Sequence, residues 1–253
     1  MRKGFIEGCV DSFLSSWAAC RGGADRLELC ANLSIGGTTP SPSLFRQVRR
    51  ECPEVKIHVL IRPRFGDFLY SPWELEEMEE DICRFRELGA DGVVIGALTP
   101  EGEVDRAAMA RLMARGGGLS VTLHRAFDMT RDPAAALETA VELGCSSILT
   151  SGQAASAAAG AEVLGALVRQ AKGRIEIMAG SGVKKETIRD IYRRSGVLAY
   201  HTSARRGPVD SGMIYRRAGV SMGLPSLSEY ELWRTDEAEF CACAEMVHSL
   251  PAG

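Results

Sequence analysis

No uninterrupted apolar run in this 253-residue chain approaches the roughly 18 to 20 residues needed to span a bilayer. The opening, MRKGFIEGCVDSF, has Glu7 and Asp11 where a signal peptide needs apolar residues. These absences exclude a membrane span and predict a cytoplasmic protein. Charge of one sign is also lacking. The formal net charge of -3 comes from interspersed charges, so no basic field attracts nucleic acid or anionic lipid. The 8 cysteines are diluted through a chain able to build its own core, and they read as reduced thiols rather than a disulfide framework. No Gly-x-Gly-x-x-Gly follows the first candidate strand, so a dinucleotide-binding open sheet lacks support.

What is present is material for one large core, with 45% hydrophobic and 25% charged residues. Short β-rich segments recur at 4–10, 26–31, 56–63, 92–98, 120–126, 147–152, 175–180 and 199–204, alternating with helical stretches such as 73–88, 133–143 and 184–194. Glycines at 23, 89, 144 and 196 stand just past helices, where a left-handed cap meets no Cβ clash. Eight repeated units predict an α/β chain folded as a single (β/α)₈ TIM barrel over 1–253. A long loop at 207–235 follows the eighth strand, and a last helix occupies 236–250.

Side chains alternate along a strand, so a charged residue within one reveals which phase faces the barrel interior. The first two strands carry Glu7-Gly8-Cys9 and Glu28-Leu29-Cys30, which puts all four Glu and Cys side chains inside on adjacent strands. The same phase adds His58 and Arg62 from the third strand, His124 from the fifth, and His201 with Ser203 from the eighth. Arg62, Arg64, Asp67, His124, Arg125, Asp128 and His201 all fall at or just past C-terminal strand ends, where barrel enzymes keep their catalytic groups. A barrel core tolerates an occasional ion pair. Burying this many ionisable groups costs several kcal/mol each unless they are paired, and that points to a functional pocket.

After the seventh strand, Gly180, Ser181 and Gly182 allow backbone amides to approach an anion, and Ser203 adds to this after the eighth. Ser151, in Thr150-Ser151-Gly152-Gln153, extends the polar rim or caps the next helix. Cys9 and Cys30 read either as soft metal ligands or as small packed hydrophobes. Cys241 and Cys243 lie two apart on a predicted helix, about 200° apart around its axis, and form no chelating pair.

Gly22-Gly23-Ala24-Asp25-Arg26-Leu27-Glu28-Leu29-Cys30 and Gly36-Gly37-Thr38-Thr39-Pro40-Ser41 resemble the CutC family of copper homeostasis proteins. Ile61-Arg62-Pro63-Arg64, Gly66-Asp67-Phe68, His124 to Met129, Leu149 to Gly152 and Ser211-Gly212-Met213 carry the same resemblance, which spans about residues 4–235. Phe65 departs from the family's second glycine in the Arg-Pro-Arg-Gly-Gly-Asp-Phe motif. The resemblance implies a cytoplasmic barrel, a homodimer, a role in copper tolerance or trafficking, and Cu(I) bound through Cys9 and Cys30.

Two functions therefore stand side by side. One is a Cu(I)-binding copper homeostasis protein using Cys9 and Cys30. The other is an enzyme acting on a small anionic or phosphorylated substrate. There Glu7 or Glu28 serves as acid or base, His124 or His201 as proton-transfer partner, and Arg62 and Arg64 as holders of negative charge.

Overall fold

Two Gly-Ala-Asp turns show how the repeating unit is built. Gly23 and Gly89 take φ of +90° and +85° past their helices, Ala24 and Ala90 are buried, and the aspartates turn back to a neighbouring strand. Asp25 Oδ2 accepts the Ile6 amide at 2.8 Å, and Asp91 Oδ2 accepts the Ile57 amide at 2.8 Å. One tripeptide thus ends a helix and fixes the start of an adjacent strand.

The computed structural model describes residues 3–224 and 226–251. Its elements run β1 (Phe5–Val10), α1 (Phe13–Arg21), β2 (Arg26–Leu29), α2 (Pro42–Glu51), β3 (Lys56–Leu60), α3 (Pro72–Glu87), β4 (Gly92–Ile95) and α4 (Arg106–Gly116). They continue with β5 (Ser120–Leu123), α5 (Pro133–Leu143), β6 (Ser147–Thr150), α6 (Ala161–Ala171), β7 (Glu176–Ala179), α7 (Lys185–Ser195) and β8 (Ala199–Thr202). Strands β1 to β8 form a closed parallel barrel, with β8 pairing back onto β1 through Glu7 opposite His201. This is the TIM barrel that the eight-unit reading predicts.

The helices start where the sequence supplies caps. Ser71 and Glu74 make a reciprocal capping box ahead of α3, and Asp105 and Asp132 cap α4 and α5. Outward-facing Leu27, Leu29, Ile57, Val59, Val93, Ile95, Leu123 and Ile148 join the helices in one apolar layer. Inside the barrel two smaller clusters form: Cys9, Cys30, Leu60 and Val94 in one, and Leu149, Met178 and Ala199 in the other.

Most strands end earlier than their sequence ranges. The β-rich range of the fifth strand extends to Ala126, but β5 stops at Leu123 and His124 starts a 3-10 turn over Arg125–Met129. The reason is local: the His124 ring accepts the Ala126 amide, an alternative to a ladder bond. The segment 207–235 is also not irregular throughout. Within it β9 (Pro208–Asp210) pairs antiparallel with β10 (Glu231–Trp233) before α8 (Glu237–His248). Among the described residues no helix is long and apolar enough to cross a membrane.

Candidate functional site

A cavity of about 540 Å³ opens at the C-terminal ends of the strands. Its walls include Cys9, Glu28, Cys30, Arg62, Phe68, His124, Arg125, Lys184, His201 and Arg205.

One wall comes from β1, β2 and β8. Because Cys9 pairs in register with Glu28 and Glu7 with His201, the inward phase of three neighbouring strands converges on one point. Cys9 Sγ lies 3.2 Å from Glu28 Oε2, and Cys30 Sγ lies 3.5 Å from the same oxygen. His201 Nε2 is 3.5 Å from Glu28 Oε2, while its Nδ1 lies 2.8 Å from Glu7 Oε1. Glu7 is fully buried beneath the cavity floor, and its second oxygen accepts Arg26 Nε. A carboxylate on Nδ1 turns Nε2 toward Glu28 and the thiols.

The charges on this wall hold one another in place. Burial works against an ionised Glu7, but Arg26 and His201 outweigh it and keep the carboxylate far below its usual range. Burial likewise opposes a charged His201, yet Cys9 and Glu28 overcome it and raise the imidazole well above 6.5. Cys9 is lowered well below an ordinary thiol, first by the Cys30 hydrogen bond and then, against burial, by His201. Burial and then the Cys9 charge raise Glu28, and burial with the Cys9 contact raises Cys30. The set therefore favours a Cys9 thiolate beside an imidazolium, with protons on Glu28 and Cys30.

A second wall comes from the ends of β3, which adjoins β2, and β5. Arg62 donates from Nη1 to the Gly36 and Gly37 carbonyls at 2.9 and 3.1 Å, and from Nη2 to the Gly66 carbonyl at 2.7 Å. Its guanidinium lies over the Phe68 ring, and Phe68 in turn packs on His124 with ring centroids 4.9 Å apart. His124 fits only because position 96 is glycine: a Cβ there would stand 2.6 Å from two ring atoms. Burial, then the Arg62 charge, push His124 down to about 3, so the ring is neutral at physiological pH.

The other sequence candidates are distributed around this centre. Arg64 and Asp67 bond to one another at 3.1 Å outside the cavity lining, with Arg64 also held by Glu74. The Asp128 carboxylate is engaged by Arg125, by the Thr150 hydroxyl and by the Ser151 and Gln153 amides, so it braces the loop after β6. Ser151 sits in that same bracing network, and Arg125 reaches from it to the cavity edge. Ser181, Gly182 and Ser203 line the cavity, whereas Gly180 lies behind it, against Leu149. His58 is buried deep in the barrel over Gly92, and burial followed by the Arg26 charge lowers it to about 4.

Arg26 is absent from the sequence candidates although it shares the inward phase of Glu28 and Cys30, and that phase is the signal that marks it. Phe68, Lys184 and Arg205 come from loops and carry no periodic signal at all.

The family model for the CutC family matches residues 5–206. A CutC family protein from Bacteroides thetaiotaomicron is 50% identical over 232 residues, covering 91% of this chain and 93% of the relative. The human copper homeostasis protein cutC homolog is 49% identical over 236 residues, covering 92% and 86%. A crystal structure of CutC from Streptococcus agalactiae superposes with a TM-score of 0.76 at 34% identity, covering 79% of this chain and 98% of that one. With half its residues shared across nine-tenths of its length, and with the same barrel, this chain belongs to the CutC family.

Proposed function

We propose that this protein serves copper homeostasis, the role in the name of its human relative, and that it does so by binding Cu(I) between Cys9 and Cys30. The observation that carries the reading is the grouping of Cys9, Glu28 and Cys30, whose ligand atoms all lie within 4.8 Å of one another. Soft thiolates suit Cu(I). Cys9 is already biased toward the thiolate, and Cys30 releases its proton to solvent through the cavity mouth as the ion arrives. Reduced thiols of this kind suit the cytoplasm.

A competition titration with a Cu(I) chelator tests the site. Cys9→Ser and Cys30→Ser each abolish tight binding if the reading holds, and unchanged affinity in both discards it.

The Glu7–His201 pair supports a second reading, an enzyme acting on a small anionic substrate. A histidine held at Nδ1 by a buried carboxylate, with Nε2 facing a thiol and a carboxyl group, is organised for proton transfer. A homodimer is the natural partner state in either reading. The segment leading from β9 exposes Ile214, Tyr215 and Met222, apolar surface that a second copy would cover, and light scattering reads the mass directly.

A further inference from the structure

The Arg62 side chain is buried, with the residue only 7% exposed, and among the described residues its hydrogen bonds run to backbone carbonyls, with no carboxylate paired to it. Three backbone carbonyls and the face of Phe68 satisfy the ends of its guanidinium and the Tyr70 hydroxyl stands beside it, but among the described residues no acceptor meets its Nε–H with hydrogen-bond geometry. A buried cation without a counter-charge is costly, and leaving one of its hydrogens idle adds to the cost.

His124 repeats the pattern beside it. The ring is 5% exposed, and Nδ1 accepts the Ala126 amide at 3.1 Å, so the neutral ring carries its proton on Nε2. That Nε2–H also lacks a partner among the described residues. Both residues line the cavity, and Phe68 contacts both, with its ring centroid 4.9 Å from the Arg62 Cζ and 4.9 Å from the His124 centroid. Two idle donors, one of them on a cation with no carboxylate partner, thus both lie against the Phe68 ring just beneath the cavity surface.

We propose that this wall is a subsite for the oxyanion of a small organic ligand, a carboxylate or a phosphate, whose oxygens accept from Arg62 Nε–H and His124 Nε2–H. The bound anion supplies the counter-charge that Arg62 otherwise lacks. His124, being neutral, adds a directed hydrogen bond without a second buried cation. The cavity volume of about 540 Å³ suits a metabolite-sized molecule. The subsite deepens the small-anion reading, and because it uses no residue of the Cys9–Cys30 wall it stands or falls separately from Cu(I) binding there.

Acetate, inorganic phosphate and phosphoglycolate are the probes, titrated at fixed ionic strength by calorimetry and by NMR of protein labelled with ¹⁵N-histidine. At least one probe is expected to bind saturably and to shift the His124 Nε2–H resonance. A response to acetate without phosphate identifies a carboxylate site, and the reverse a phosphate site. In His124→Asn the side-chain oxygen can still accept the Ala126 amide while the Nε2–H is gone. Affinity there falls roughly tenfold or more, and Cu(I) competition at Cys9 and Cys30 stays unchanged. If no probe moves the His124 resonance in the wild-type protein, or if His124→Asn folds and binds the probes as tightly as wild type, the proposal is overturned. The wild-type titration decides the matter even if the variant does not fold.

Discussion

The two walls of the cavity treat buried charge in opposite ways. On the β1–β2–β8 wall every ionisable group has a partner of its own chain: Arg26 with Glu7, Glu7 with His201, His201 with Glu28, and Glu28 with two thiols. On the β3–β5 wall an unpaired arginine and a neutral histidine leave donors open. The first is a closed network whose protons can be redistributed. The second is a fixed donor surface awaiting an acceptor from outside. Burial alone does not make a functional site, because both walls are equally dry; the state of their hydrogen bonds separates them.

The largest break in this contrast comes from Glu7→Ala. It strips the closed wall of its base and leaves Arg26 buried without a partner and His201 without its anchor. Removing one member of such a pair costs about 3 to 5 kcal/mol, read as a lower urea midpoint. The acid limb changes as well. Because the folded pKa of Glu7 is depressed, its stabilisation is complete above the unfolded carboxylate range and is lost as pH falls through it toward the lower folded value; the variant lacks that loss.

The histidines sharpen the comparison through pH. His58 is lowered to about 4, so between pH 6.5 and pH 4 the unfolded chain takes up a proton that the folded chain refuses. Stability falls through that window as pH drops, by on the order of 3 kcal/mol, and His58→Leu removes this contribution. His201 has the opposite sign. Its folded pKa is raised, so its contribution is whole below pH 6.5 and declines as pH rises through the folded value. Unfolding free energies measured across pH 4 to 9 should therefore show an acid limb that responds to His58 and an alkaline limb that responds to His201. Loss of both limbs in His58→Leu alone would refute the separation.

A smaller change tests the open wall without removing a polar group. Gly96→Ala drives a methyl into the His124 ring, where the contact would be 2.6 Å. Overpacking of this kind costs about 1 to 3 kcal/mol. It should displace the imidazole and weaken the oxyanion probes while leaving thiol reactivity at Cys9 as it was. Equal effects on both would mean that the walls are mechanically coupled.

Strand phase makes the closed wall legible in the amino-acid order alone, because the alternation that puts Glu7, Cys9, Glu28, Cys30 and His201 inside is a property of a few consecutive residues. Arg62 shows where phase stops being informative. Its inward direction follows from alternation, but its terminal amines, which the sequence suggests as a clamp for a ligand, instead bind Gly36, Gly37 and Gly66, whose carbonyls return from two separate loops. Asp128, a sequence candidate for ligand contact, braces the loop after β6 in the same way. Loop paths depend on long-range packing, and no local periodicity encodes them. Phase also says nothing of partners across a strand boundary: Arg26 has the inward alternation of Glu28, yet its role exists only because Glu7 lies opposite it on β1.

The seam between the first and last barrel strands has a kinetic consequence. The Glu7–His201 bond joins residues 194 apart in sequence, and the strands that carry them meet only when the barrel closes. Closing so long a loop is entropically late, and a growing chain exposes β1 long before β8 has been made. Pairing of β1 with β2 already brings Cys9, Glu28 and Cys30 together, so closure of the barrel adds the last member, His201, and a partly folded chain holds its thiols and carboxylates without the imidazole that organises them.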